Sequence, residues 1–213
     1  MQLAAKIYKI VLLYCIAHDY FTKYISIGVY MRDFWSENSK TIGKNLLNQF
    51  GGAFFGIMLF FAAYALRKFD TLPFISSIIS VTFYLYLLYL VMWERGGQDR
   101  IKYDGGRAEK KPLTGLWISL LSNVPNLILA ALILISEPFI KGSPNIAGGI
   151  NTVSRAIAIL WEGMYMGVIR TFAPHNPLIY LLMVFPAVFV GAYAYLVGFN
   201  NRRLFGLAEV KKK

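Results

Sequence analysis

Four stretches of this chain contain no charged residue: 46–66, 71–93, 113–136 and 177–200. The shortest is 21 residues long. At about 1.5 Å of rise per residue, a helix of that length covers about 30 Å, the thickness of a bilayer's hydrocarbon core. All 11 acidic and all 22 basic residues fall outside these stretches. The expected fold is therefore all-α, a polytopic transmembrane helix bundle. Four spans are expected, with an amphipathic interfacial or re-entrant helix besides them; five spans is the alternative.

Charged residues make up 15% of the chain, against about 25% in an ordinary soluble domain. A net charge of +11 would suit nucleic acid if the cations formed one patch. Instead they sit just beyond the spans, where they orient helices and meet anionic head groups. The lipid bilayer is thus the expected partner, and nucleic acid is not. Cys15 is the one cysteine, which excludes an intrachain disulfide and a multi-cysteine metal site.

Lys and Arg accumulate in cytoplasmic loops. Residues 1–45 hold six, residues 94–112 six and the tail after Asn201 five, whereas 67–70 hold two and 137–175 three. Rich and poor segments alternate, which predicts four crossings with both termini in the cytoplasm. Residues 1–40 read as an amphipathic segment on the cytoplasmic face, 41–206 as the transmembrane helical domain and 207–213 as a basic tail. The N-terminus lacks a signal-peptide pattern. Met31 opens a run, Met31-Arg32-Asp33-Phe34-Trp35, that reads equally well as a start.

Gly52 and Gly56 in the first stretch, and Ala187, Gly191, Ala194 and Gly198 in the last, form small-xxx-small faces that let helix backbones approach. Such faces serve packing within the bundle or homodimerisation. The third stretch carries Ser119, Ser122, Asn123 and Asn126 around Pro125, which removes a helical hydrogen bond. Ser122 and Asn126 share a face. Either these side chains bond neighbouring helices and steady a kink, or they line a small polar cavity that binds a ligand.

Residues 142–174 open with turn chemistry and continue as a helical pattern over 153–171. Ile157, Trp161, Met164 and Val168 form its apolar face, while Arg155 and Glu162 share another with Asn151. The uncharged reach between Arg155 and Arg170 is 14 residues, interrupted by Glu162. That is about 21 Å of helix, short for a span, so an interfacial or re-entrant helix on the outer face is expected. Glu162 is the one acid amid apolar helix. If buried it needs a partner, which Arg155 or Arg170 would supply; proton-coupled transport is the sharper reading. The candidate ligand-binding residues are Ser119, Ser122, Asn123, Asn126 and Glu162.

His18 and His175 are far apart, and no HExxH, Walker, GxSxG or CxxC motif occurs. No catalytic residue, metal site or cofactor is expected. An enzyme acting on lipid would have only Asp99, Asp104 and Arg107 inside, and Glu162 and His175 outside. The runs Gly96-Gly97-Gln98-Asp99-Arg100 and Asp104-Gly105-Gly106-Arg107 read as turn chemistry in a solvated cytoplasmic loop.

Tyr84 through Trp93-Glu94-Arg95-Gly96-Gly97-Gln98-Asp99-Arg100, then Gly106-Arg107, Gly115-Leu116 and Asn123-Val124-Pro125-Asn126, resembles small uncharacterised multi-span membrane proteins of clostridial-type Gram-positive bacteria. The resemblance covers roughly residues 40–206. It implies a bacterial plasma membrane and assigns no activity. The function expected first is that of a non-enzymatic membrane subunit acting through helix packing, as a homo-oligomer or with a membrane partner protein. A transport-related, small-solute-binding component is the alternative, and a lipid-acting enzyme the second alternative.

Overall fold

The structure is a computed structural model. It describes residues 2–66, 71–107, 109, 111–142, 145–172 and 176–202, with side chains from residue 31 onward. The turn at 67–70, His175, the tail at 207–213 and the amphipathic side chains expected within 1–30 lie outside the described residues.

Every element among the described residues is a helix: α1 (Gln2–Ala65), α2 (Leu72–Asp104), α3 (Thr114–Ser122), α4 (Val124–Ser136), α5 (Ile146–Trp161), α6 (Met166–Phe172), α7 (Ile179–Leu182) and α8 (Val184–Phe199), with 3-10 turns at Glu137–Phe139 and Gly163–Tyr165. The chain divides into two compact units, Met1–Lys40 and Thr41–Lys213. The first is helical, with the Asn38 side-chain amide donating to the Phe34 carbonyl at 2.8 Å. Apart from the start of the apolar length Met31–Ala65, all that follows concerns the second.

Three helical lengths, Met31–Ala65, Leu72–Asp104 and Ile179–Phe199, are long and apolar enough to cross a membrane. Thr114–Ser122 and Val124–Phe139, bent by 55° at Asn123, make a fourth if the pair is one span. The bend follows from Pro125, which lies in the first turn of α4 and has no N–H to continue the ladder of α3.

Helix α2 does not stop at the end of its uncharged stretch. It runs on to Asp104, which corrects the reading of Gly96 to Asp104 as loop. Arg95–Asp99 and Arg100–Asp104 are i,i+4 ion pairs at 3.2 and 2.8 Å that favour helix. A Cβ on Gly96 would overlap the Tyr195 carbonyl, and one on Gly198 the Trp93 carbonyl. These glycines bring the backbones of α2 and α8 together, and that close contact offsets the roughly 1 kcal/mol that glycine costs a helix interior.

The other small-residue faces are also occupied within this unit. Gly56 lies against the Met164 backbone, Gly167 against the Pro73 carbonyl and Gly191 against Ser119, while Ala187 and Ala194 are buried.

Large apolar side chains point outward instead. On α1, Asn45, Gln49, Gly52, Ala53, Gly56 and Phe60 face in, and Leu47, Phe50, Phe54, Met58 and Phe61 face out. Helix α5 does the same: Ala147, Asn151, Ser154 and Ala158 are buried, while Ile150, Val153, Ile157 and Leu160 are exposed. The expected apolar face is therefore split. Ile157 points out, and Met164, beyond the helix break, is buried.

Along the segment from α5 to α6 the neighbours change from α4 to α1 and α2. Beside α4, the Asn151 amide donates to the Ile133 carbonyl at 3.2 Å and to Ser136 Oγ at 2.9 Å. After the break, Met164 meets Gly52 and Gly56 of α1. Gly167 N–H then donates to Ser77 Oγ at 2.6 Å, the Arg170 guanidinium lies 4.8 Å from the Tyr64 ring centre, and Phe172 meets Phe74. Tyr64 and Phe74 flank the junction of α1 and α2.

Candidate functional site

Two buried polar groupings stand out. The first is built at the α3–α4 bend, where the turn presents Ser119, Ser122, Asn123 and Asn126, all buried. Each finds a partner. Ser119 and Ser122 hydroxyls donate back to the Gly115 and Ile118 carbonyls at 2.8 Å. The Asn123 amide donates to the Ser119 carbonyl at 2.9 Å, capping the end of α3. Asn126 donates to Asn123 Oδ1 at 3.0 Å and accepts from Gln49 Nε2 at 2.6 Å. Asn45 donates to Ser122 Oγ at 3.2 Å and lies 3.4 Å from Met92 Sδ. The arrangement is a ladder of side chains bonded to one another across α1, α3 and α4, with Asn45 Oδ1 the one acceptor in it that is buried without a partner among the described residues.

Asn45 and Gln49 were not among the expected site residues. Their signal was present: they stand four apart and continue through Gly52 and Gly56 on one helix face. Asn45 lies just before the uncharged stretch and Gln49 inside it.

Glu162 belongs to the second grouping. It is the residue at which α5 ends. Its N–H donates to the Ala158 carbonyl and its carbonyl accepts from Tyr165 N–H, both at 2.7 Å. The side chain is 1% exposed. Its Oε2 has no hydrogen-bond partner among the described residues, and neither does the buried Nε1 of adjacent Trp161. Three buried tyrosines, Tyr84 of α2, Tyr165 and Tyr180 of α7, lie within electrostatic reach of the carboxyl.

The arginines expected to neutralise Glu162 are held elsewhere, a correction with a clear cause. Arg155 donates to Glu137 Oε2 at 2.9 Å and to Asn151 Oδ1 at 2.7 Å, with its guanidinium 5.6 Å from the Tyr180 ring centre. Arg170 lies over Tyr64. Each long side chain reaches for an end of the helices, where a cation is better solvated. Among the described residues Glu162 is in no ion pair.

The amide ladder and Glu162 are distinct but close in height. Gln49 belongs to the ladder, and Gly52, three residues on, meets Tyr84 and Met164, about one helical turn along α1.

The charged residues of the α2 end form a third cluster. Asp99 is shared by Arg95 at 3.2 Å, Lys102 at 3.7 Å and the Tyr195 hydroxyl at 3.0 Å. Arg100 pairs with Asp104 and donates to the Phe199 carbonyl at 3.0 Å. The Tyr195–Asp99 and Arg100–Phe199 bonds hold α2 to α8. Asp99 and Asp104 are thus engaged with cations, and neither is brought to Glu162. Among the described residues no three His, Cys, Asp or Glu side chains gather as a metal site would require.

No known protein family, curated protein or solved structure matches the chain.

Proposed function

We propose that this chain is an integral membrane protein with four crossings, a re-entrant α5–α6 segment and both termini in the cytoplasm, and that it acts without catalysis, as a membrane subunit packing with a second copy or another membrane protein. The observation that carries the membrane reading is the inverted pattern of α5, in which Ala147, Asn151, Ser154 and Ala158 face in while Ile150, Val153, Ile157 and Leu160 face out. Water outside would disfavour that arrangement and hydrocarbon would favour it. The first span is the least enclosed, with 28% of its apolar window buried against 44% in the last. The outward Phe50, Phe54 and Phe61 of α1 are the proposed seat for a neighbouring helix. The plasma membrane of a bacterium is the proposed location, on the resemblance described for Tyr84 to Asn126.

The test is a bifunctional thiol cross-linker applied in native membranes to a Phe54→Cys variant lacking Cys15. Linked dimers or a linked second protein support the packing reading. A variant that stays a lone monomer by cross-linking, and by mass in nanodiscs, overturns it.

A second reading, a transport-related component, is favoured by Glu162. An ionisable side chain within the bundle, at a break between two helices, is what a coupled solute or ion site requires. Proteoliposomes loaded with a pH-sensitive dye test it. A solute-driven proton flux that Glu162→Gln abolishes supports the reading, and its absence in the wild-type protein removes it.

A further inference from the structure

We propose that Glu162 is the counter-ion of a site that takes a small alkylammonium cation in exchange for a proton. The inference rests on the transport-related reading and names the class of ligand. Three features of the place restrict that class.

First comes charge. The carboxyl is buried with one oxygen unpartnered, and the cations nearest in sequence are engaged, Arg155 by Glu137 and Asn151 and Arg170 by Tyr64. A bare carboxylate without a counter-charge is costly to bury. The position is therefore filled either by a proton on the carboxyl or by a cation that arrives from outside.

Second come the walls. The phenols of Tyr84, Tyr165 and Tyr180 lie within electrostatic reach of Glu162, and Tyr180 is also within reach of Arg155 and Glu137. Aromatic faces attract an ammonium, and more strongly where water is excluded. A metal ion is a poor fit, because the three phenols and one carboxyl supply few anionic oxygens.

Third comes space. A largely open apolar groove of about 240 Å³ lies between α2, α6 and α7, lined by Ile78, Val81, Tyr165, Val168, Leu182 and Met183. Tyr165 belongs to both places. It lines this groove, its hydroxyl donates to the Met183 carbonyl at 3.2 Å, and its N–H donates to the Glu162 backbone carbonyl. An alkyl chain of a few carbons suits the groove, and its ammonium would turn past Tyr165 towards the carboxyl, which does not itself line the groove. The exchange balances: the carboxylic acid and the alkylammonium yield a carboxylate–alkylammonium pair and one released proton.

The test uses the full chain in lipid nanodiscs and n-hexylammonium as probe, with n-hexanol as its neutral counterpart. Titration calorimetry in two buffers of different ionisation enthalpy counts protons. Saturable hexylammonium binding with proton release, weakened at least about tenfold in Glu162→Gln while hexanol binds both alike, is the expected result. Equal hexylammonium affinity in the two proteins, or binding without proton release, overturns the proposal. Should Glu162→Gln fail to fold, infrared spectroscopy of the wild-type protein decides: the carbonyl stretch of a protonated carboxylic acid disappears on adding hexylammonium if the proposal holds, and persists if it is wrong. The proteoliposome experiment fails separately. Hexylammonium binding without proton flux upholds this site and removes the transport reading, whereas proton flux driven by another solute, with no hexylammonium binding, upholds transport and removes the ligand class.

Discussion

The Gln49 side-chain amide of α1 donates to Asn126 Oδ1 at 2.6 Å, tying the first long helix to the bend in the third. Both residues are nearly inaccessible, so the bond has no competing water. In a double-mutant cycle, Gln49→Ala and Asn126→Ala are expected to show a coupling of about 0.6–2 kcal/mol, the range of side-chain hydrogen bonds between membrane helices. Reversible unfolding in mixed micelles measures it. Strict additivity of the two substitutions would show that the bond is not made.

The two glycines of α1 that face different ways should respond in opposite directions. Gly51 has open space where a Cβ would go, and Gly51→Ala is expected to stabilise by about 0.5–1 kcal/mol through helix propensity. A Cβ on Gly56 meets the Met164 backbone, so Gly56→Ala is expected to destabilise by about 1–3 kcal/mol. Thermal unfolding of the two variants side by side is sufficient. A stabilising Gly56→Ala would mean that the α5–α6 segment does not sit against α1.

Glu162→Leu is expected to make the protein more stable. It replaces a buried acceptor that lacks a partner with an apolar group of similar size, which removes a penalty of about 1–3 kcal/mol. The same variant should lose alkylammonium binding, so stability and ligand affinity move in opposite directions. A lower melting temperature would indicate that the carboxyl holds the fold together and is not reserved for a ligand.

Topology can be read by thiol labelling in a background lacking Cys15. An impermeant reagent on intact cells is expected to modify Lys141→Cys and to leave Gln98→Cys and Lys212→Cys untouched. Modification of Lys212→Cys alongside an unreactive Gln98→Cys would give the chain an odd number of crossings between these points, and the α5–α6 segment would then span.

The helical class and the long apolar lengths were legible because length and charge exclusion are properties of contiguous sequence. The polar character of the Ser119–Asn126 turn was legible for the same reason. What faced that turn was not: the spacing of Asn45 and Gln49 marks a helix face without saying which helix it meets. Helix α5 misled in another way. Periodicity shows that Ile157 and Asn151 lie on different sides but carries no sign, since an apolar face turns inward in water and outward in lipid. Gly96 and Gly97 read as a turn because the compensation for a glycine inside α2 comes from Tyr195 and Gly198, about a hundred residues away along the chain.

The break at Gly163–Tyr165 also fixes an order of construction. Helix α5 has 16 residues, too few to be retained by hydrocarbon as a span of its own. Its Asn151 needs the Ile133 carbonyl and Ser136, and Gly163 and Gly167 need the Ala53 and Pro73 carbonyls as seats. All of these seats lie earlier in the chain, so a ribosome delivers the mould before the piece that fills it. The α5–α6 segment is a keystone set into the part of the frame already standing, before α7 and α8 close over it, and errors in placing the first two helices would surface during biogenesis as a keystone left outside the arch.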